Sequence, residues 1–530
     1  MSIRESLQTT IRQRVKECYD LDITGVDIAL PPAEQGDYAT NIAFQLAKEL
    51  GRSPLAIAEE LALELVDQNI TQAEAAAPGF INLRLSEPYW RDYFVAIDDN
   101  FARSNRGSGE KVQVEYISAN PTGPLTLGNA RGGFIGDVLS NVLTSQGYEV
   151  TREYYFNDAG TQIGKLLESY TAHVTDKVDD DTPYRGEYMQ EVAQHPKLRH
   201  QIAGLVESTP VEEGILLTNH IFDTYIKPAL AAANITFDRF TNERVISTEF
   251  DGIRQQLDSQ GLLEEREGAL WLKSTVFGDE RDRVLIKSSG DLTYLANDIA
   301  YHHDVFVNRE FDRAIKVWGA DHAGQVPSLK LTVNQLFTGK EIEFLIVQWV
   351  RLIKDGREFK ISKRAGTYVT VDELVERVGT DVARWFMLMR SNDTHMDFDL
   401  DLAAEQSQKN PFWYVMYAYV RLQAINNKAA EQQLKPGSAL GELSAGEQAI
   451  VRQVAELPEL LGTIARTYEV HKLTFFGQEL ARLFHDWYEQ EKIIDLPPAK
   501  AAEKLYFLAQ LEQVFETYFA LMGVSPRKTM

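Results

Sequence analysis

The sequence has 530 residues, 44% apolar and 25% charged, which predicts three or four globular domains and excludes a disordered or collagenous chain. No apolar run approaches the roughly 20 residues of a membrane-spanning helix, and the opening MSIRESLQTTIRQRV lacks a secretory apolar core, so a cytoplasmic location without a membrane partner is expected. The net charge of −24 argues against an unselective nucleic-acid coat, but Pro411 to Met530, with 12 Lys and Arg against 14 Asp and Glu, would repel a polyanion least.

Residues 1–105 read as a small mixed domain and linker. A first helix is predicted over Ser2–Tyr19; its Cys18 is the only cysteine, which excludes an internal disulfide or thiolate cluster, and beside Val15 and Tyr19 it is expected to be a buried structural thiol. The turn Pro31-Pro32 and the loop Gln35-Gly36-Asp37-Tyr38 precede a second helix expected over Ala39–Leu50. Pro54 opens a third helix through Leu65, Pro78–Leu83 reads as a turn into a short strand, and Asn100–Glu110 is polar and linker-like.

Residues 106–403 alternate strand-like and helix-like pieces. Val112–Ser118, Gly132–Gln146 and Glu149–Phe156 follow a strand–helix–strand rhythm, which predicts an α/β domain on a parallel, doubly wound sheet. An insertion is expected over about 170–270, with Asp176–Glu213 acidic and irregular; further strands are predicted at Arg283–Lys287, Arg313–Trp318 and Glu343–Val350. Residues 404–530 are helical almost throughout, which predicts an all-α module of four or five helices.

Two segments carry chemistry. Ser118–Gly133 (SANPTGPLTLGNARGG) lies between the first strand and the first long helix of the sheet, where open parallel sheets bind ligands; its glycines admit a bulky group and the helix N-terminus offers amides to phosphate. Tight strand-to-helix turns need glycine in any case, and the spacing fits neither the dinucleotide fingerprint nor the P-loop. Far downstream, Lys354–Gly366 (KDGREFKISKRAG) holds five cations within eleven positions, which suits either a loop closing on a triphosphate or a solvated basic loop.

Together the two segments resemble the paired nucleotide loops of class I aminoacyl-tRNA synthetases, and the whole chain resembles the arginyl-tRNA synthetase family. The match is carried by GDYATNIAFQLAKEL (Gly36–Leu50), PGFINLRLS (Pro78–Ser86), VEYISANPTGPL (Val114–Leu125), TYLANDIAYH (Thr293–His302), WGADHAGQV (Trp318–Val326) and VGTDVARWFMLMRSNDTHMDFDLDLA (Val378–Ala403). The resemblance implies a Rossmann-type catalytic domain between an N-terminal domain that binds the tRNA elbow and a C-terminal helical-bundle anticodon-binding domain. It implies an arginine–tRNA ligase that uses ATP with Mg²⁺, forms arginyl-adenylate, transfers arginine to the 3′ end of tRNA(Arg), and needs tRNA before it activates arginine; a monomer is expected.

It also implies site residues. Glu115, Ser118 and Asn120 would hold the backbone end of arginine, and Tyr294 and Asp298, four apart on one helical face, its guanidinium. Pro124, Gly128, Gly319, Asp321, His322 and Ser362 would bind ATP. Asp37, Tyr38, Asn41, Trp413, Tyr414, Tyr417 and Arg421 are tRNA-binding candidates, the aromatics as stacking faces. No resident metal site is expected. Where the family has His-x-Gly-His, this sequence has Thr126-Leu127-Gly128-Asn129, so Thr126 and Asn129, with Lys360 and Lys363 of the second loop, are the expected catalytic donors. The same departure supports a second reading, a catalytically impaired tRNA-binding relative.

Overall fold

The computed structural model describes residues 2–529 except 33, 157, 159–160, 206–208 and 360–368. Its centre is set by an alternation in the first strand, Lys111–Tyr116 (β1): Val112, Val114 and Tyr116 face one way, Gln113 and Glu115 the other, and all five are buried. The apolar face takes the helix Leu127–Ser145 (α1), which approaches so closely that a side chain at Gly136 would overlap the Tyr116 ring. Glu149–Phe156 (β2), Arg239–Asn242 (β3), Arg313–Gly319 (β4) and Glu341–Val347 (β5) complete a parallel sheet in the order β5-β4-β1-β2-β3. Chain direction across the sheet reverses between β1 and β4, the switch point where such sheets bind ligands.

The polar face of this sheet is unusual. Register aligns Lys316 of β4, Glu115 of β1, Glu153 of β2 and Arg239 of β3 in one row. Central parallel strands are ordinarily apolar on both faces. This row is buried at Lys316, Glu115 and Glu153, and the helix Tyr294–His303 (α2) supplies Asp298, Tyr301 and His302 to the region beside it.

Several expectations change here. Arg283–Ile286 forms a strand, but in a separate antiparallel sheet with Leu263–Arg266 and Ala269–Leu272. The stretch expected at Glu343–Val350 divides into β5 and a second strand, Val350–Lys354, paired with Met396–Asp399. The acidic insertion is helical rather than irregular: Glu187–Gln194, Pro196–Ala203 and Pro210–Ile221 join Thr161–Val174 around Leu166, Met189, Leu198 and Leu217. Its charges lie outside a small apolar core of its own, which the acidic composition had hidden.

In the N-terminal part, Ile3–Tyr19, Ile42–Leu50, Pro54–Leu65 and Glu87–Val95 are helices around a four-stranded antiparallel sheet. Tyr38–Thr40 is a strand paired with Ile81–Leu83 rather than the start of the second helix, and the alanine-rich Ile70–Ala76 is a strand as well. Cross-strand pairing decides both against local preference. Cys18 is exposed, contrary to expectation. The buried stripe Ile3, Leu7, Ile11, Val15 steps by four toward Tyr19, and Cys18 falls about 100° away from Tyr19 on the helix wheel.

The C-terminal part has five helices, Pro411–Glu431, Ala445–Ala455, Leu457–Thr467, Lys472–Gln490 and Pro498–Met522. They share a core with the catalytic part. Trp385 packs edge-on against Phe412 and Tyr518, and the buried Arg384 binds Asp137 at 2.5 Å and the carbonyl of Asn234 at 2.7 Å.

Candidate active site

A cavity of about 750 Å³ opens over the carboxyl ends of β1 and β4. Twelve residues expected at the site line it: Glu115, Ser118, Asn120, Pro124, Thr126, Gly128, Asn129, Tyr294, Asp298, Gly319, Asp321 and His322. They come from three separate stretches, 115–129, 294–298 and 319–322, and the sheet brings them together. Lys360, Ser362 and Lys363 lie outside the described residues. Of the described residues on either side, Val350–Lys354 forms a hairpin with Arg357–Glu358, Thr370 bridges to Thr126, and Val371 N donates to Leu125 O at 3.0 Å.

At the β1–β2–β3 end the walls are charged and buried. Lys316 Nζ donates to Glu115 Oε2 at 2.6 Å and to Gln113 Oε1 at 3.1 Å, and lies 4.1 Å from the centre of the Tyr301 ring. Glu115 is therefore already paired. Asp298 stands near it unpaired: burial first, then the charge of Glu115 and that of Glu243, raise its carboxyl to about 8 against the opposing pull of Lys316. Burial likewise raises Glu243 to about 7; the Tyr155 hydroxyl and the Asn297 amide, which donates at 2.9 Å, oppose the rise. Asp298 and Glu243 thus line the same end of the cavity as two carboxyls whose environment disfavours their charge.

His302 sits behind Asp298. Its Nδ1 donates to the Asp298 carbonyl at 2.6 Å, and burial, reinforced by Lys316, holds the ring well below the usual imidazole range and hence neutral. Its Nε2 is buried with no hydrogen-bond partner among the described residues. Asn120 donates to Gln162 at 2.9 Å and the Ser118 hydroxyl accepts from Tyr155 N at 3.0 Å. Ile117 and Ser118 both take left-handed backbone, at φ 67° and 40°, turning the chain sharply out of β1 over the cavity floor.

At the centre, α1 presents its N-terminus. The Thr126 amide and hydroxyl both donate to Asn129 Oδ1, each at 2.9 Å, closing the first turn. This corrects the equal weight given to the pair. The Thr126 hydroxyl hydrogen is spent inside the turn, whereas the same bonds orient Asn129 with its Nδ2 donor left for a ligand. Toward β4 and β5, Asp321 and His322 are more than half exposed at 58% and 52%, on a 3₁₀ turn after Gly319, with His322 Nε2 3.6 Å from Asp321 Oδ2. Tyr294 is 61% exposed at the mouth.

The tRNA candidates divide. Trp413 is 3% exposed beneath the Arg527 guanidinium, and Tyr38 is 1% exposed with its hydroxyl on Glu456; neither can offer a face to a base, so both are corrected to core residues. Asp37 is a structural tie, accepting from Leu85 N at 2.8 Å and pairing with Arg452 at 3.0 Å. Tyr414 and Tyr417 are half-buried, and Arg421 donates to His485 at 2.9 Å over the Tyr488 ring. Asn41 is exposed and lines a second cavity of about 300 Å³ with Gln35, Asn82 and Phe80, the last 41% exposed and edge-on to Phe44.

Lys316, Glu243 and His302 were missed in the sequence, as were Phe80 and Asn82 beside the expected Asn41. A lysine inside the apolar strand RAIKVWG was a usable signal, since a central strand tolerates it only beside a counter-ion. Glu243 gave none, being 128 positions from Glu115.

Three family profiles match in order: the arginyl tRNA synthetase N terminal domain over residues 5–85, the class I (R) tRNA synthetase catalytic domain over 95–396, and the DALR anticodon binding domain over 415–530. The chain is 36% identical to an arginine–tRNA ligase of Citrifermentans bemidjiense, with all of both chains covered. It is 38% identical to one of Geobacillus thermodenitrificans, covering all of this chain and 99% of the relative. Among solved structures, Thermus thermophilus arginyl-tRNA synthetase shares the fold at a TM-score of 0.78 and 21% identity, with all of both chains covered.

Proposed function

The chain belongs to the arginyl-tRNA synthetase family and is an arginine–tRNA ligase of class I, and from that premise we propose how its cavity does the work. The observation that carries the reading is the pairing of Asp298 and Glu243, two carboxyls that line one end of a cavity whose middle is a helix N-terminus, both pushed up first of all by desolvation. A guanidinium is planar, permanently charged and doubly hydrogen-bonding, so it satisfies both carboxylates at once; a lysine ammonium is a single point charge. Tyr294 lies at the mouth one helical turn before Asp298 and covers the bound side chain. With the guanidinium seated there, Ser118 and Asn120 are placed to hold the backbone end near the first turn of α1.

In activation the arginine carboxylate attacks the α-phosphorus of ATP, the bond to pyrophosphate breaks, and negative charge grows on the departing oxygens. The nucleophile is already an anion, so the site needs donors rather than a base. Asn129 Nδ2 and the free amides of the first turn of α1 supply them, with Gly128 leaving room; Lys360 and Lys363 complete the set. The terminal ribose hydroxyl of tRNA(Arg) then attacks the arginyl carbonyl, and AMP leaves. Mg²⁺ accompanies ATP as its counter-ion.

For tRNA, residues 1–105 offer the second cavity, where Phe80 and the amides of Asn41 and Asn82 suit one base, and residues 404–530 offer Tyr414, Tyr417 and Arg421. Residues 106–403 carry both chemical steps. The enzyme works as a cytoplasmic monomer and requires tRNA for activation. Among the described residues no helix is long and apolar enough to cross a membrane. No described feature of the cavity favours an impaired relative: the charged pocket and the donor turn are both assembled. ATP–pyrophosphate exchange with several amino acids, with and without tRNA, tests the reading. Exchange should occur with arginine alone among them, and only with tRNA present; exchange with lysine instead would overturn it.

A further inference from the structure

Residues 117–125 lead from β1 to α1 with no helix or strand of their own, and they start from the left-handed backbone of Ile117 and Ser118. That conformation is unfavourable at a β-branched residue, so surrounding groups must hold the loop. The sheet holds its first half: Tyr155 N donates to the Ser118 hydroxyl at 3.0 Å, and the Tyr154 hydroxyl donates to Ala119 O at 2.9 Å.

The second half is held from the helical insertion. Gln162, in the first turn of Thr161–Val174, accepts from Asn120 Nδ2 through Oε1 at 2.9 Å. The Tyr188 hydroxyl, from Glu187–Gln194, donates to Thr122 O at 2.6 Å. Its ring lies so close that a Cβ on Gly123 would stand 3.0 Å from Tyr188 Cζ. Both helices are fixed in turn by the insertion's own core, through Leu166 and Met189, and both side chains line the cavity.

An asparagine amide has one donor edge and one acceptor edge. With Nδ2 on Gln162, the acceptor Oδ1 remains for a ligand, and an oxygen suits the α-ammonium of an amino acid. Rotating the amide would set Oδ1 against Gln162 Oε1, two acceptors face to face, so Gln162 decides which edge is offered. Glu115, the other acceptor expected at this end of the substrate, already serves Lys316.

We propose that the insertion clamps the amino-acid end of the site through two positioning residues. Gln162 fixes the Asn120 acceptor for the substrate α-ammonium, and Tyr188 fixes the turn at Thr122–Gly123 ahead of α1. The proposal deepens the ligase reading and rests on it for the place of Asn120. Gln162→Met keeps the length but loses the acceptor, and should raise the arginine KM about three- to tenfold with the ATP KM unchanged. Gln162→Glu keeps an oxygen for Asn120 and should stay within about twofold of the parent. Tyr188→Phe loses only the hydroxyl, and should lower kcat about three- to tenfold while the arginine KM moves less than about twofold.

The test adds Gln162→Met to Asn120→Ala and reads the arginine KM in pyrophosphate exchange with tRNA present, beside a thermal melt. A residue that acts through Asn120 loses its effect once Asn120 is gone, so the second substitution should then change KM less than about twofold. A fold merely loosened by the substitution would lower the melting temperature and add its loss to that of Asn120→Ala. Non-additive losses with recovery in Gln162→Glu support the clamp. Additive losses, equal losses in Gln162→Met and Gln162→Glu, or parental kinetics in either Gln162→Met or Tyr188→Phe overturn it. A parent that exchanges with another amino acid would instead sink the arginine reading. The same cycle run on that amino acid would still decide the clamp, since the α-ammonium is common to all of them.

Discussion

At the β1–β2–β3 end of the cavity, Glu115 is in contact with Lys316, Glu243 is buried and Asp298 partly so, and His302 is pinned to a carbonyl. At the β4–β5 end, Asp321 and His322 stand more than half exposed on a single 3₁₀ turn. The contrast follows from what each end must do. Choosing one amino acid among twenty requires charges that are desolvated and immobile before the substrate arrives, because only a buried mismatch is expensive. The phosphates of ATP are satisfied by any aligned donor. On the proposed reading the nucleotide end can therefore stay open, while the arginine end stores its selectivity in the folded core.

Breaking the buried end should cost the most. Lys316→Met leaves the Glu115 carboxyl without its partner inside the sheet, and a loss of about 3–5 kcal/mol of stability is expected in a denaturant melt. Glu115→Gln in the same chain should recover most of that loss. A single variant as stable as the parent would show that the row of charges is not what holds the centre of the sheet.

In the middle of the cavity the two loop residues should part company. Asn129→Ala removes a donor from the pyrophosphate and should slow arginine-dependent exchange by about 10²–10³. Thr126→Ala removes only a link of the capping turn, so about 1 kcal/mol of stability and little rate should go. Equal rate losses in the two would restore the even division read from the sequence.

Asp298→Asn should lower kcat/KM for arginine about a hundredfold with the melting temperature maintained or raised. The sign of the last effect follows from linkage. Asp298 and Glu243 titrate above their unfolded values, at about 8 and about 7, so through the range between the unfolded and folded values the empty folded enzyme holds protons that the unfolded chain has lost. Stability of the empty enzyme therefore falls as pH rises toward 8. Arginine needs both carboxylates ionised, so its KM should fall as pH rises from about 6 to 8, and in Asp298→Asn the step near 8 should vanish. A flat profile in the parent would place the guanidinium elsewhere.

The smallest effect is expected outside the cavity. Tyr417→Ala, at a half-buried ring on the helix Pro411–Glu431, should weaken tRNA binding about tenfold, and parent binding should weaken steeply with salt. Deleting residues 411–530 would be a poor substitute, because Phe412 and Tyr518 pack on Trp385 and the cut would open the core of the catalytic part.

Chain order settled a good deal by itself. The alternation in VQVEY, the periodicity of Gly132–Gln146 and the rhythm that follows already required a parallel sheet with a ligand site after its first strand, because local pattern and one strand–helix–strand unit suffice for that. Motif spacing placed Tyr294 and Asp298 on one face of one helix. What the tertiary structure decided was which charges meet. Lys316 neutralises Glu115 across a strand boundary 201 positions wide, and Glu243 joins Asp298 from the far end of the sheet. The same holds for the rings. Trp413 and Tyr38 look as exposed in sequence as Tyr417, yet both are core, because burial is fixed by what packs on a residue from elsewhere in the chain, and no local spacing records it.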